Sequence, residues 1–250
     1  MWGFAPVLTR FGRDMGFVPF VITSCVALYG ATLLTSPQIG GFLSPHRISL
    51  FLFGASGYSP VVELHRWWTV ITATWLHGGL IHIAMNMMSI RSIAPMAAEY
   101  FGASRMIIIY VISGITGFAA STAAATFIGV GIPIIGGAEL TVGASASIAG
   151  LIGAIFLYGH RSGSSGIAEQ ARFWIISFLV MGALIPRIDN WAHVGGLAGG
   201  YLCAKFLDPL TRERLDHFII AIVLLVISAI AIVVSVVTLL PEVNQYLRSL

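Results

Sequence analysis

A serine at position 145 and a histidine at position 193 each open a glycine-rich, otherwise apolar run. The runs are Gly143-Ala144-Ser145-Ala146-Ser147-Ile148-Ala149-Gly150 and Trp191-Ala192-His193-Val194-Gly195-Gly196-Leu197-Ala198-Gly199-Gly200. Keeping a hydroxyl and an imidazole inside lipid-soluble sequence is costly, so such residues are functional hypotheses by default. A serine within reach of an imidazole base is the minimum equipment for nucleophilic acyl transfer. The pair predicts a serine hydrolase whose active site lies within a membrane. A second pair, His82 and Asn86, is four residues apart and so shares one helix face. Two aligned donors suit a developing oxyanion, although His and Asn also serve membrane helices as interhelical hydrogen-bonding groups.

The elements that must carry these residues are apolar. The chain of 250 residues is 57% hydrophobic and 9% charged, with a mean hydropathy of +0.92. Soluble domains carry about 25% charged residues, so an all-α integral membrane protein is expected. The net charge of +3 comes from basic residues scattered between apolar runs, which topology explains better than nucleic acid does. Cys25 and Cys203 sit in apolar stretches and read as buried thiols, with no metal-ligand spacing. No metal or cofactor is implied.

A helix crossing a ~30 Å hydrocarbon core needs about 20 apolar residues. Seven candidate spans follow: 17–34, 76–98, 106–130, 145–159, 168–186, 191–207 and 218–240. The first is favoured as a transmembrane helix over a cleaved leader. The fourth, fifth and sixth are short or carry polar residues, as suits helices buried in a thinned bilayer. With the N-terminus cytoplasmic, Arg10, Arg13, Arg91, Arg105, Arg161, Arg172, Lys205, Arg212 and Arg214 fall toward the cytoplasm. Arg47, Arg66, Arg187 and Arg248 fall opposite, an asymmetry that obeys the positive-inside rule. The segment 36–68 is ambiguous between a loop and a helix at headgroup depth. Residues 129–142 read as a loop, and 160–166 as a flexible cytoplasmic linker.

Counting crossings makes the argument spatial. The second, fourth and sixth spans run in the same direction, and Ser145 and His193 begin theirs while His82 and Asn86 lie in the first half of theirs. All four residues are therefore expected at similar depth toward the non-cytoplasmic side. Gly196 and Gly200 form one G-x-x-x-G pair and Gly195 and Gly199 another. Small residues let backbones approach closely, which a hydroxyl–imidazole distance of about 2.6–3.2 Å requires. Ser147 is a rival nucleophile, but about 200° around the helix from Ser145 it reads as a packing hydroxyl.

These motifs in this order resemble the rhomboid family of intramembrane serine proteases. The serine motif is Gly143-Ala144-Ser145-Ala146, the H-x-x-x-N motif is His82 to Asn86, and the A-H-x-x-G-x-x-x-G motif runs from Ala192-His193 through Gly196 to Gly200. His77, and the turn Glu99-Tyr100-Phe101-Gly102-Ala103-Ser104-Arg105, add to a likeness spanning roughly 65–207. The resemblance implies a six-helix core over 17–207 after a cytoplasmic segment 1–16. A linker over 208–217 and an extra C-terminal transmembrane helix over 218–250 would follow. It further implies a Ser145–His193 dyad, an oxyanion site of His82, Asn86 and the Ser145 N–H, and packing roles for His77, Gly143, Gly196, Gly200 and Glu99. Substrates would be transmembrane segments of other proteins in the bilayer. Residues such as Phe173, Trp174 and Phe178 would form a lateral gate.

Two departures stand out. Ala146 occupies a position that is glycine in many rhomboids. His65-Arg66-Trp67-Trp68 has histidine where the family's Trp-Arg pair has tryptophan, which leaves the anchoring of the first loop open. Two other readings fit part of the pattern: an inactive rhomboid-like protein that binds membrane clients, and a small proton-coupled transporter. The first would usually lack Ser or His. The second predicts an inverted repeat and an intramembrane acidic residue, and no repeat is found.

Overall fold

Among the described residues, the apolar runs become seven long helices: α1 Phe17–Leu34, α2 Leu80–Phe101, α3 Ala103–Phe127, α4 Ser145–Arg161, α5 Ser165–Leu184, α6 Asn190–Phe206 and α7 Leu215–Arg248. The computed structural model describes residues 14–132, 134–185 and 188–248, with side chains to Pro241. Arg10, Arg13, Pro133, Pro186, Arg187, most of the segment 1–16 and the Arg248 side chain lie outside that description. Among the described residues there is no strand, only isolated bridges such as Ser56 with Thr141.

Among the described residues, four helices (α1, α3, α5 and α7 as far as Pro241) are long and apolar enough to cross a membrane by length and composition alone. The protein is thus a polytopic, all-α membrane protein. Helices α4 and α6 have 17 residues each, or about 26 Å at 1.5 Å per residue, less than a full hydrocarbon core. Burial explains how they persist. Nearly every residue of α4 from Ala146 to Ile155 is inaccessible, because α3, α5 and α6 surround it.

Glycine sets how close these helices come. A Cβ on Gly196 or Gly200 of α6 would strike the backbone of Ala146 or Gly150 on α4, and one on Gly153 would strike the Leu197 carbonyl. The second G-x-x-x-G pair faces elsewhere: Gly195 and Gly199 lie against Thr116 and Ala120 of α3. The Thr116 hydroxyl donates to the Gly195 carbonyl at 3.1 Å. One helix therefore uses two small-residue rows to meet two neighbours.

Several helix starts differ from the sequence expectation, and glycines account for two of them. Helix α2 begins at Leu80 rather than 76, since Gly78 and Gly79 interrupt the run and residues 76–79 bury Leu76 and His77 in a turn. Helix α3 begins at Ala103, directly after Gly102 at φ 85°. A Cβ on Gly102 would strike the Glu213 side chain, and the turn grips the linker before α7. There the buried Arg105 donates to the carbonyls of Asp208, Thr211 and Arg212 and to Nδ1 of His217. Glu99 stays exposed on the last turn of α2.

The first loop contains a helix, Arg47–Phe53, capped by the His46 ring. The tryptophan beside Arg66 is Trp68, and residue 65 is a histidine. The Arg66 guanidinium is buried and lies 5.6 Å from the Trp68 ring, while Trp67 is 67% exposed.

Candidate active site

Helix α4 starts at Ser145, with Ala144 as its cap residue. The N–H of Ser145 is therefore one of the first-turn donors that no intrahelical carbonyl satisfies, at the positive end of the helix dipole. Gly143, two residues earlier, adopts φ +138°, and a Cβ there would press on Nε2 of His82 and approach the Ser145 hydroxyl. Backbone conformation and space both demand glycine at this point. The loop is held from below, where the N–H of Gly143 donates to the Ala73 carbonyl at 2.9 Å.

Helix α6 delivers His193. Asp189 caps that helix, its Oδ1 accepting the Ala192 N–H at 3.0 Å and its Oδ2 accepting the Ser121 hydroxyl at 2.6 Å. One turn into the helix, His193 is 5% exposed, and its Nε2 lies 2.9 Å from the Ser145 hydroxyl. For that nitrogen to accept the serine proton, Nδ1 must carry the ring hydrogen. Nδ1 is buried without a protein partner among the described residues. Asp189, occupied with Ala192 and Ser121, does not orient the imidazole. The arrangement is a dyad in geometry. The Phe178 ring of α5 meets the His193 ring edge-on at 5.2 Å.

His82 Nδ1 accepts the Gly78 N–H at 3.4 Å, which leaves the hydrogen on Nε2, the nitrogen facing Gly143 and Ser145. Asn86 is buried one turn below, with Nδ2 donating to the His82 carbonyl at 2.9 Å. Its second N–H remains to serve another acceptor. His77 is fully buried, and its ring meets His82 edge-on at 5.2 Å. Ser147 faces away from this group and shares a 2.7 Å hydrogen bond with Thr74. The Ala146 methyl also points away, into space left by Gly117 of α3, so it does not crowd the Ser145 hydroxyl.

A cavity of about 1110 Å³ opens over His82, lined among others by Arg47, Gly78, Glu139, Thr141 and Asp189. Arg47 and Glu139 form an ion pair at 3.0 Å on its rim. Helix α5 borders the site from the outside of the bundle, with only Ala168, Ala171 and Gly182 of its described residues buried. Phe173 is 65% exposed, and Trp174 packs against the core.

Asp189 was not assigned a role by spacing, although an aspartate just before an apolar helix is a readable N-cap signal. Partial burial pushes its carboxyl above its usual range, and the bonds to Ser121 and Ala192 oppose that shift. With its folded pKa above the unfolded one, Asp189 contributes stability that is fully present below the unfolded value. That contribution is lost as pH rises through the folded value. Asp189→Ala is expected to cost about 1 kcal/mol through the lost cap, and Asp189→Asn less, since an acceptor for Ala192 remains. Melting curves across the acidic range check both. Wild type losing more stability than Asp189→Asn on acidification through that window contradicts the assignment.

Comparison with known proteins gives a consistent result. A family model described as the Rhomboid domain matches residues 64–209. RHOMBOID-like protein 6, mitochondrial, of Arabidopsis thaliana is 35% identical over 170 residues, covering 66% of this chain and 52% of the relative. Rhomboid protease GluP of Bacillus subtilis is 30% identical over 185 residues, covering 73% of this chain and 34% of that protein. YdcA of the same organism, also named as a rhomboid, is 31% identical over 177 residues, covering 69% and 82%. YdcA apart, the chain spans about half or less of the length of these relatives.

Proposed function

Because this chain belongs to the rhomboid family, whose members include serine proteases, we propose that it is an intramembrane serine endopeptidase working through a Ser145–His193 dyad. One observation carries the reading: the 2.9 Å hydrogen bond between Ser145 Oγ and His193 Nε2, formed by residues 48 apart in sequence. Ser145 attacks a peptide carbonyl as its proton passes to His193. The imidazolium then gives that proton to the leaving amine as the C–N bond breaks. Water entering from the cavity releases the acyl group by the same steps in reverse. The Ser145 N–H, His82 Nε2–H and the spare Asn86 N–H hold the oxyanion.

The substrates are transmembrane segments of other membrane proteins, reaching the dyad past the outer helix α5 beside Phe178. The cavity opens to the non-cytoplasmic side and the N-terminus is cytoplasmic. The site belongs to the core 17–207, with 208–217 as linker and 218–250 as the added helix. A client-binding protein without activity has no need of the hydroxyl–imidazole bond, which favours the protease.

The test is a fluorophosphonate probe on the purified, detergent-solubilised chain, with the adduct located by mass spectrometry. The expected adduct is on Ser145, absent in His193→Ala. An adduct on Ser147, or on neither serine, overturns the proposal.

A further inference from the structure

Helix α7 lies beyond the stretch matched by the family model and carries none of the site residues. A series of buried contacts nevertheless links its middle to the loop that bears Ser145. Ser235 on α7 is wholly buried. Its carbonyl accepts from Arg66 Nη2 at 2.8 Å and its hydroxyl accepts from Trp68 Nε1 at 3.0 Å. The same guanidinium donates through Nη1 to the Phe51 carbonyl at 3.1 Å and lies 5.3 Å from the Phe51 ring centre. A buried cation is costly unless its donors are satisfied, so these contacts tie Arg66 to the 47–53 helix and α7 together.

The next contacts lead inward. Gly54, at φ +99°, ends the 47–53 helix, and a Cβ there would collide with Thr72 and with the Ser235 hydroxyl. The Thr72 hydroxyl donates to the Gly54 carbonyl. The following residues hold the serine loop on both sides: Ala73 accepts the Gly143 N–H at 2.9 Å, and Thr74 bonds Ser147 at 2.7 Å. Gly143 and Ser147 flank Ser145 by two residues each.

We infer that α7 is a positioning helix for the nucleophile, with Ser235 clamping the Arg66–Trp68 turn and so bracing the 69–75 segment from which the Ser145 loop hangs. The inference rests on Ser145 being the nucleophile. Ser235 touches no reacting atom and acts through the backbone of its neighbours.

The experiment compares wild type with Ser235→Thr, Ser235→Ala and Ser235→Leu in the full chain in detergent. It reads the fluorophosphonate labelling rate at Ser145, kcat and KM on a transmembrane reporter, and the melting temperature. Ser235→Leu drives a side chain toward Gly54 and Thr72. It is expected to lower the labelling rate and kcat roughly 10- to 100-fold, the scale of an ångström-level misplacement, with KM unchanged well below its Tm. Ser235→Ala falls in between, and Ser235→Thr, which keeps the hydroxyl, restores the wild-type rate. A folded Ser235→Leu protein that labels at the wild-type rate overturns the inference. Should that variant not fold, Ser235→Ala decides by the same readout, a wild-type rate overturning the inference and a reduced one supporting it. Wild type that fails to label at Ser145 removes the nucleophile assignment itself, a result distinct from equal rates.

Discussion

Ser145→Ala and His193→Ala are each expected to lower cleavage of a transmembrane reporter by about 10⁴-fold or more, and the double variant is expected to be no worse than either. In the proposed mechanism the two side chains act as one proton-transfer unit, so removing the second partner after the first removes nothing further. The 2.9 Å contact already lies within general-base range, so neither side chain has to move to act. The oxyanion donors are expected to matter less. His82→Ala or Asn86→Ala removes one donor of three, a loss of about 10²- to 10³-fold in kcat, while the dyad still forms the fluorophosphonate adduct. Ser147→Ala removes a hydroxyl that bonds Thr74 rather than the reacting groups, so it is expected to keep the adduct on Ser145 and to lower cleavage far less than Ser145→Ala. Cleavage that persists in Ser145→Ala, with wild-type protein excluded by mass, ends the dyad reading.

The parts of this site that sequence made legible are those governed by period and count. Apolar length outlines the helices, and the parity of crossings predicts positions 82, 145 and 193 at one end of the bundle, in keeping with the contacts among Gly143, His82, Ser145 and His193. The i, i+4 spacing of Gly196 and Gly200 announced a close helix pair, and the structure adds that the offset pair Gly195 and Gly199 serves a different neighbour, α3. What sequence did not show depends on contacts between remote positions. The Arg66–Ser235 bond joins residues 169 apart, and a serine in an apolar helix carries no mark of the arginine it receives. Ala146 departs from the family's glycine beside the serine, and the space for its methyl comes from Gly117 of another helix. The start of α2 departs from the apolar run for a local reason: Leu76 extends that run, but Gly78 and Gly79 let the chain turn and bury His77 before the helix begins.

Gly196→Ala is expected to damage both stability and rate. A Cβ at this position would meet the carbonyl oxygen, carbonyl carbon and Cα of Ala146, all backbone atoms that no rotamer change can move. The helices must part instead, and overpacking of this kind costs typically 1–3 kcal/mol. Because Ala146 adjoins Ser145 and Gly196 lies three residues after His193, the separation acts directly on the dyad, where a shift of about 1 Å costs roughly 10²-fold in rate. Gly200→Ala meets the Gly150 backbone in the same manner, but one turn deeper. It is expected to match Gly196→Ala in lost melting temperature while retaining more kcat. Gly166→Ala on α5 has open space around its Cβ and should leave kcat unchanged while stabilising its helix slightly. Reporter kinetics and melting curves on the three variants separate loss of geometry from loss of stability. Gly196→Ala with wild-type kcat and wild-type melting temperature would show that the two backbones do not approach as closely as the dyad requires.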